Sequence, residues 1–267
     1  MQPLSDFPQN DLRKIRFVLT DIDDTLTENG RLPAASYLAM EKLQQAGLKV
    51  IPITGRPAGW CDHISRMWPV DGIVGENGAF YFEYETAKRK MKRHYWKPES
   101  KREEDRKRFE QLRKKILSAV KGCAIASDQA YREADLAIDY CEDVPALSKS
   151  AVEQIVNIFK QEGAVAKVSS IHVNGWFGNY DKLSMTRILL DESFQTDMDK
   201  SQEQIVFCGD SPNDAPMFGF FQNSVGVANV IDYAEELEQQ PCWVTQKRAA
   251  AGFVELAEAL MAAHSDA

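Results

Sequence analysis

Apolar runs alternate with helical patterning along the first third of the chain. Residues 16–20 open with Arg16 and continue through Phe17, Val18 and Leu19, a compact apolar stretch of the kind that fills a buried parallel strand. A turn-rich segment over 21–32 gives way to apolar positions at Ala35, Leu38, Ala39, Leu43 and Ala46. Pro33 near the first turn and Gly47 beyond the last bound a predicted helix there. Residues 48–53 read as a second strand, which Pro52 keeps from a central position because proline offers no ladder donor. A helix over 58–68 and a short strand over 72–75 follow. Strand alternating with helix in this way predicts an α/β fold with a parallel sheet covered on both faces.

The pattern changes after Phe82. Residues 88–121 are long-chain, charged and mostly helical in propensity. A strand is expected over 136–140, and Val152, Ile155, Val156 and Phe159 share one helical face that Gly163 terminates. Residues 165–173 return to β-type side chains. From Lys182 the earlier alternation resumes, with a helix over 184–190, a strand over 205–208, a helix after Asn213, a short run at 225–227 and a last helix over 253–263. The expected organisation is a core formed by 1–83 and 180–267, with an α+β unit inserted over 84–179.

Composition narrows the function classes. A chain of 267 residues that is 44% hydrophobic holds one large core with room for an inserted domain. Its apolar stretches are short and broken by charge, so no membrane span is expected. The N-terminus has neither a basic start nor an apolar stretch after it, so no secretory signal is expected. Cys61, Cys123, Cys141, Cys208 and Cys242 are scattered and form no CxxC pair, which fits reduced thiols in the cytoplasm. The net charge of −8 disfavours nucleic acid as a partner. Residues 86–121 carry fifteen Lys or Arg against five Asp or Glu, a local +10 that leaves −18 for the rest. Phe109, Leu112 and Ile116 recur at helical spacing inside that basic stretch, so a solvated helix resting its apolar stripe on a sheet is the favoured reading.

Four segments carry candidate chemistry. Asp21, Asp23 and Asp24 lie within four residues directly after the first strand, where side chains of an open α/β sheet converge on the ligand crevice. Such crowding needs a cation or exposure; a solvated acidic turn is the bland alternative. Thr54, Gly55 and Arg56 follow the second strand, where a hydroxyl and backbone N–H groups can hold a phosphate oxygen or merely cap a helix. Asp210, Asn213 and Asp214 leave a later strand and supply oxygen ligands for a hard cation such as Mg²⁺. Lys182 by itself is an ordinary lysine.

In this order and at these positions, the four segments resemble the motifs of the haloacid dehalogenase superfamily. The resemblance extends to 75–79 (Gly-Glu-Asn-Gly-Ala), to Val227, Ala228 and Asn229, and to Val244 and Thr245 before Gly252. These look like the sugar-phosphatase-like branch, type IIB, in which a Rossmannoid core carries a mobile α/β cap. One departure is Asp24, where the family usually has glycine. The resemblance implies a Mg²⁺-dependent phosphomonoester hydrolase acting on a small phosphorylated metabolite, a sugar phosphate by analogy. It implies Asp21 as nucleophile and Asp23 as acid and base. Mg²⁺ would be held by Asp21, the Asp23 carbonyl and Asp210, with Asp214 either a water-mediated ligand or the group that orients Lys182. Phosphate would meet Thr54, Gly55, Lys182 and Asn213, and candidate substrate contacts are Arg56, His172, Asn174 and Trp176, with a strand histidine satisfied by a neighbour as the alternative for His172 and a core or hinge aromatic for Trp176. A phosphomannomutase-like mutase and a phosphate-binding protein without catalysis share the same residues.

Overall fold

In the computed structural model, residues 1–169 and 171–265 are described. The first half of the core runs β1 (Gln2–Pro3), α1 (Gln9–Leu12), β2 (Phe17–Thr20), α2 (Ala34–Gln45), β3 (Lys49–Pro52), α3 (Ala58–Met67), β4 (Ile73–Gly75), β5 (Phe80–Glu85) and β6 (Lys90–Tyr95). Next come α4 (Glu99–Ala119), β7 (Ala124–Ile125), β8 (Leu136–Asp139), α5 (Lys149–Gln161), β9 (Val165–Val168) and β10 (His172–Trp176). The chain ends with α6 (Lys182–Phe194), β11 (Ile205–Gly209), α7 (Ala215–Phe220), β12 (Asn223–Gly226), β13 (Trp243–Val244) and α8 (Ala249–Ser265).

Six strands form a parallel sheet in the order β1-β13-β12-β11-β2-β3. Pro52 sits on the last of them, as the missing donor requires, and a single bridge from Ile53 to Val74 leads on to β4. On one face Val18, Val50 and Val206 pack with α2, α3 and α8 through Met40, Leu43, Ile64, Phe253 and Leu256. On the other, Leu19, Ile51 and Phe207 pack with α6 and α7 through Met185, Leu189, Met217 and Phe218. Alternate residues of buried strands thus feed both cores, which is why 17–20 reads as continuously apolar.

A separate antiparallel sheet, β7-β8-β10-β9, carries α4 and α5 on one face. Phe109, Leu112 and Ile116 of α4 are buried in that cluster, as their spacing predicts. Ser148 caps α5 by accepting the Ala151 N–H. Strand alternation turns Val173 toward the helices and so sends His172 and Asn174 to the opposite face.

One local expectation fails for an identifiable reason. Residues 90–95, counted as helical, form β6 and pair with β5 beside β4. Lysine propensity is overridden because Met91 and Tyr95 alternate onto the core. The β-type stretch 165–173 supplies β9, which ends at Val168, and the start of β10 at His172, paired antiparallel. Asn174 and Gly175 lie in the middle of β10, a strand flanked on both sides. Glycine is needed there for space, since a Cβ at 175 would lie 2.2 Å from the Phe159 ring. Trp176 is buried as a core aromatic, stacked on Tyr180 at 5.8 Å.

Candidate active site

The catalytic candidates come from the carboxyl ends of three neighbouring parallel strands. Asp21 follows β2, Asp210 follows β11 and Thr54 lies just beyond β3. The main chain of Asp21 is fixed by its N–H donating to the Cys208 carbonyl at 2.9 Å. Lys182 opens α6 and is brought to the sheet edge by two contacts. Asp181 caps the helix by accepting the Ser184 N–H at 2.7 Å. Gly78, at φ +105°, passes so close that a Cβ there would meet the Asp181 carbonyl at 2.0 Å.

Lys182 Nζ donates to Asp21 Oδ1 at 2.7 Å and to Asp214 Oδ1 at 3.0 Å. The second oxygen of Asp214 accepts the Asp210 N–H at 3.1 Å. Both Asp214 oxygens are therefore engaged, an arrangement that orients Lys182. Asp21, Asp210 and Asp214 are all buried, and each offers an oxygen within 4.8 Å of the others. One ammonium faces three carboxylates. Burial pushes the Asp21 carboxyl up to about 7, against the pull of Lys182, and raises Asp210 well above the carboxylate range, with Asp214 and Asp21 adding repulsion. Asp21 and Asp214 in turn raise Lys182 against the desolvation that would lower it. A hard divalent cation fits this donor set: it is all oxygen, it carries surplus negative charge, and Asp21 keeps an oxygen that Lys182 does not take.

Asp23 sits elsewhere in the same crevice. Both of its oxygens accept from Arg56, with Nη2 to Oδ1 at 2.7 Å and Nε at 3.0 Å. Arg56 is thus held by the core carboxylate, stacks over Trp60 at 4.5 Å and reaches toward Glu142 at 3.6 Å. Asp24 adopts φ +56°, a left-handed conformation that glycine takes with less strain, and its backbone carbonyl accepts from Asn229. Thr54 is fully buried and its Oγ1 accepts the Arg56 N–H at 3.0 Å.

Above Asp21 lies a cavity of about 30 Å³ that touches Asp23, Gly55, Arg56 and Asp210 below and Arg132, His172 and Asn174 above. His172 Nε2 stands 2.8 Å from Glu142 Oε2 but off the line of a hydrogen bond. Burial, and then Arg132, push its imidazole below the ordinary value, so it is neutral near pH 7. Asn174 Nδ2 donates to Asp135 at 3.0 Å. Asn213 lines the same cavity and accepts from Ser211 Oγ. An adjoining crevice of about 460 Å³ shares Ser169, Ser211 and Asn213 and adds Tyr140, Leu147 and Tyr233.

Two residues that the motifs did not single out tie the upper wall to the lower. Arg132 donates to Asp128 and Asp135 and to the Gly55 carbonyl at 3.0 Å. Glu76 is fully buried and accepts from the N–H groups of Ala58 at 2.9 Å, Glu133 at 2.8 Å, Ala134 at 2.6 Å and Asp135 at 3.2 Å. Glu76 lies inside a recognised signature, so a buried acid next to left-handed backbone was the available signal. Arg132 had none, being one arginine in a loop.

Residues 18–133 match the family described as haloacid dehalogenase-like hydrolase. No curated protein matches the chain. Among solved structures, a Thermoplasma acidophilum protein superposes with a TM-score of 0.70 at 17% identity, covering 92% of this chain and 98% of its own. The sucrose-phosphatase of Synechocystis, solved with sucrose and phosphate, gives 0.64 at 16% identity over 93% and 98%. A trehalose-6-phosphate phosphatase related protein gives 0.62 at 15% identity over 93% and 97%. Likeness at these identities is likeness of fold: a parallel sheet between helices, with an antiparallel cap. No helix among the described residues is long and apolar enough to cross a membrane.

Proposed function

We propose that the chain is a haloacid dehalogenase-like hydrolase, a reading supported by the family match over residues 18–133, and that it acts as a Mg²⁺-dependent phosphomonoesterase on a small phosphorylated metabolite. The observation that carries the reading is Asp21: buried, held through one oxygen by Lys182, and facing a small cavity that Asp23 also borders. Asp21 attacks phosphorus and forms an aspartyl-phosphate while the ester oxygen departs. Asp23 supplies the proton to that leaving oxygen and then takes one from the water that hydrolyses the intermediate. It can do so only when released from Arg56, which holds both of its oxygens in this arrangement. Lys182 offsets charge on the phosphoryl oxygens and keeps Asp21 aimed. Asp21, Asp210 and the Asp23 carbonyl would hold Mg²⁺, which when bound supplies Lewis-acid neutralisation of the phosphate charge.

A hydroxyl-rich leaving group suits the upper wall. The donors of Arg132 are largely spent on Asp128, Asp135 and Gly55, and His172 is held neutral, so the wall offers dipoles rather than free positive charge. A sugar phosphate fits that chemistry, and the sucrose-phosphatase of the same fold was solved with sucrose and phosphate. The cavity of about 30 Å³ is too small for an ester, so residues of the antiparallel unit have to swing away to admit one. A screen of phosphorylated metabolites, with and without Mg²⁺, tests the reading. Free phosphate from a sugar phosphate supports it. A 1-phosphate isomer formed from a hexose 6-phosphate would identify a mutase instead, and no reaction with any ester would end it.

A further inference from the structure

Resting on the phosphomonoesterase reading, we propose that Asn77 is a substrate-binding residue whose side-chain amide donates a hydrogen bond to a phosphoryl oxygen on the Gly55 side of the site. Asn77 borders the cavity over Asp21 together with Gly55, Arg56 and Asn213. Its Nδ2 is buried and has no hydrogen-bond partner among the described residues. Buried donors are paired almost without exception, so an unpaired one at the edge of a polar cavity calls for a ligand that completes it.

The turn alone does not account for the side chain. Asn77 stands at φ +56°, a conformation glycine adopts with less strain, and its backbone N–H is fixed on the Thr54 carbonyl at 3.1 Å. That bond needs no side chain. The amide rests against Gly55, where a Cβ would come within 3.2 Å of both Asn77 Nδ2 and Oδ1. The small residue at 55 leaves room for the larger one at 77. Glu76 beside it is held by four backbone donors, so the turn that presents the amide is rigid.

The Arg56 guanidinium is clamped on Asp23, whereas Thr54 Oγ1 accepts the Arg56 N–H and keeps its own hydroxyl proton to donate. Asn77 adds a neutral donor beside Thr54 for an oxygen that Lys182 does not take. A neutral amide also avoids competing with Asp21 for the cation, which a second carboxylate at this place would do.

Asn77→Gly and Asn77→Asp test this against wild type, because both tolerate the left-handed backbone and so keep the turn. The readouts are competitive inhibition by orthovanadate and inorganic phosphate, kcat/KM on p-nitrophenyl phosphate, and Tm. Asn77→Gly is expected to weaken inhibition by both anions about tenfold, the value of one lost hydrogen bond to a charged group, with Tm nearly unchanged. Asn77→Asp is expected to weaken it further through repulsion of the dianion. Inhibition constants unchanged in both variants would overturn the assignment of Asn77 alone. A wild-type protein that neither binds these anions nor hydrolyses the ester would overturn the phosphatase reading and this inference with it.

Discussion

Two buried clusters of charge lie a few residues apart in this molecule and differ in how they are balanced. At the junction of the two sheets, Asp128 and Asp135 both accept from Arg132, and Glu76 accepts four backbone N–H groups. At the sheet edge, Asp21, Asp210 and Asp214 share the single ammonium of Lys182, and Asp21 is bonded to it through one oxygen only. The first cluster is a fastening, complete in itself. The second is left short of positive charge, and that shortage is what lets it take up a cation and a phosphate. Equal numbers of buried carboxylates thus carry different meanings, set by the donors around them.

The comparison can be broken most severely at Asp21. Asp21→Asn is expected to lower steady-state phosphatase turnover on the order of 10³-fold or more while the far-ultraviolet circular dichroism stays that of wild type. Turnover close to wild type would remove Asp21 as nucleophile. Lys182→Met leaves Asp21 and Asp214 without their cation and is expected to cost about 3–5 kcal/mol in urea unfolding; a change under about 1 kcal/mol would show that the pair is not needed for balance. Mg²⁺ at a hundredfold its dissociation constant should stabilise the wild type by about 2.7 kcal/mol, read as a rise in Tm. Asp210→Asn should abolish that rise, whereas a variant in the fastening should keep it.

Glu76→Gln is that variant. It replaces a carboxyl that accepts four N–H groups with an amide and is expected to cost about 1–3 kcal/mol of stability while the Mg²⁺ response persists. The smallest effect is its pH dependence. Burial, then repulsion by Asp135, push the Glu76 carboxyl up from 4.5 to about 8, against Arg132 and the backbone donors. The folded state then holds a proton that the unfolded chain releases, so the contribution of Glu76 to stability is greatest below pH 4.5 and declines as pH rises toward 8. Wild type should lose stability between pH 5 and pH 8, and Glu76→Gln should lose less. A steeper decline in the variant would contradict the sign.

How much of this could be read along the chain varies with how local its cause is. The strands leading into Asp21 and Asp210 were legible because a sheet buried on both faces demands continuous apolar residues, and 17–20 and 205–209 supply them. The position of Pro52 on an outer ladder followed from one missing N–H. By contrast, β6 was hidden behind lysine-rich propensity, and the need for glycine at 175 had no local signal because what excludes a side chain there is Phe159, sixteen positions earlier. In the site, the motif carboxylates were legible from their crowding, whereas the bond between Arg56 and Asp23 joins residues 33 apart and left no local trace.

The sequence by itself determined the parallel core, the strand ends from which the acidic residues project, and the candidate chemistry, because each depends on patterning or spacing within a dozen residues. Only the tertiary structure decided how the charges are apportioned: Asp214 wholly engaged by Lys182 and a backbone amide, Asp23 clamped by Arg56, Glu76 turned into a fastening, and Asn77 left with an unmet donor. Hydrogen bonding and desolvation act through space over a few ångströms, so which carboxylate is satisfied and which stays reactive depends on neighbours that the linear order keeps apart.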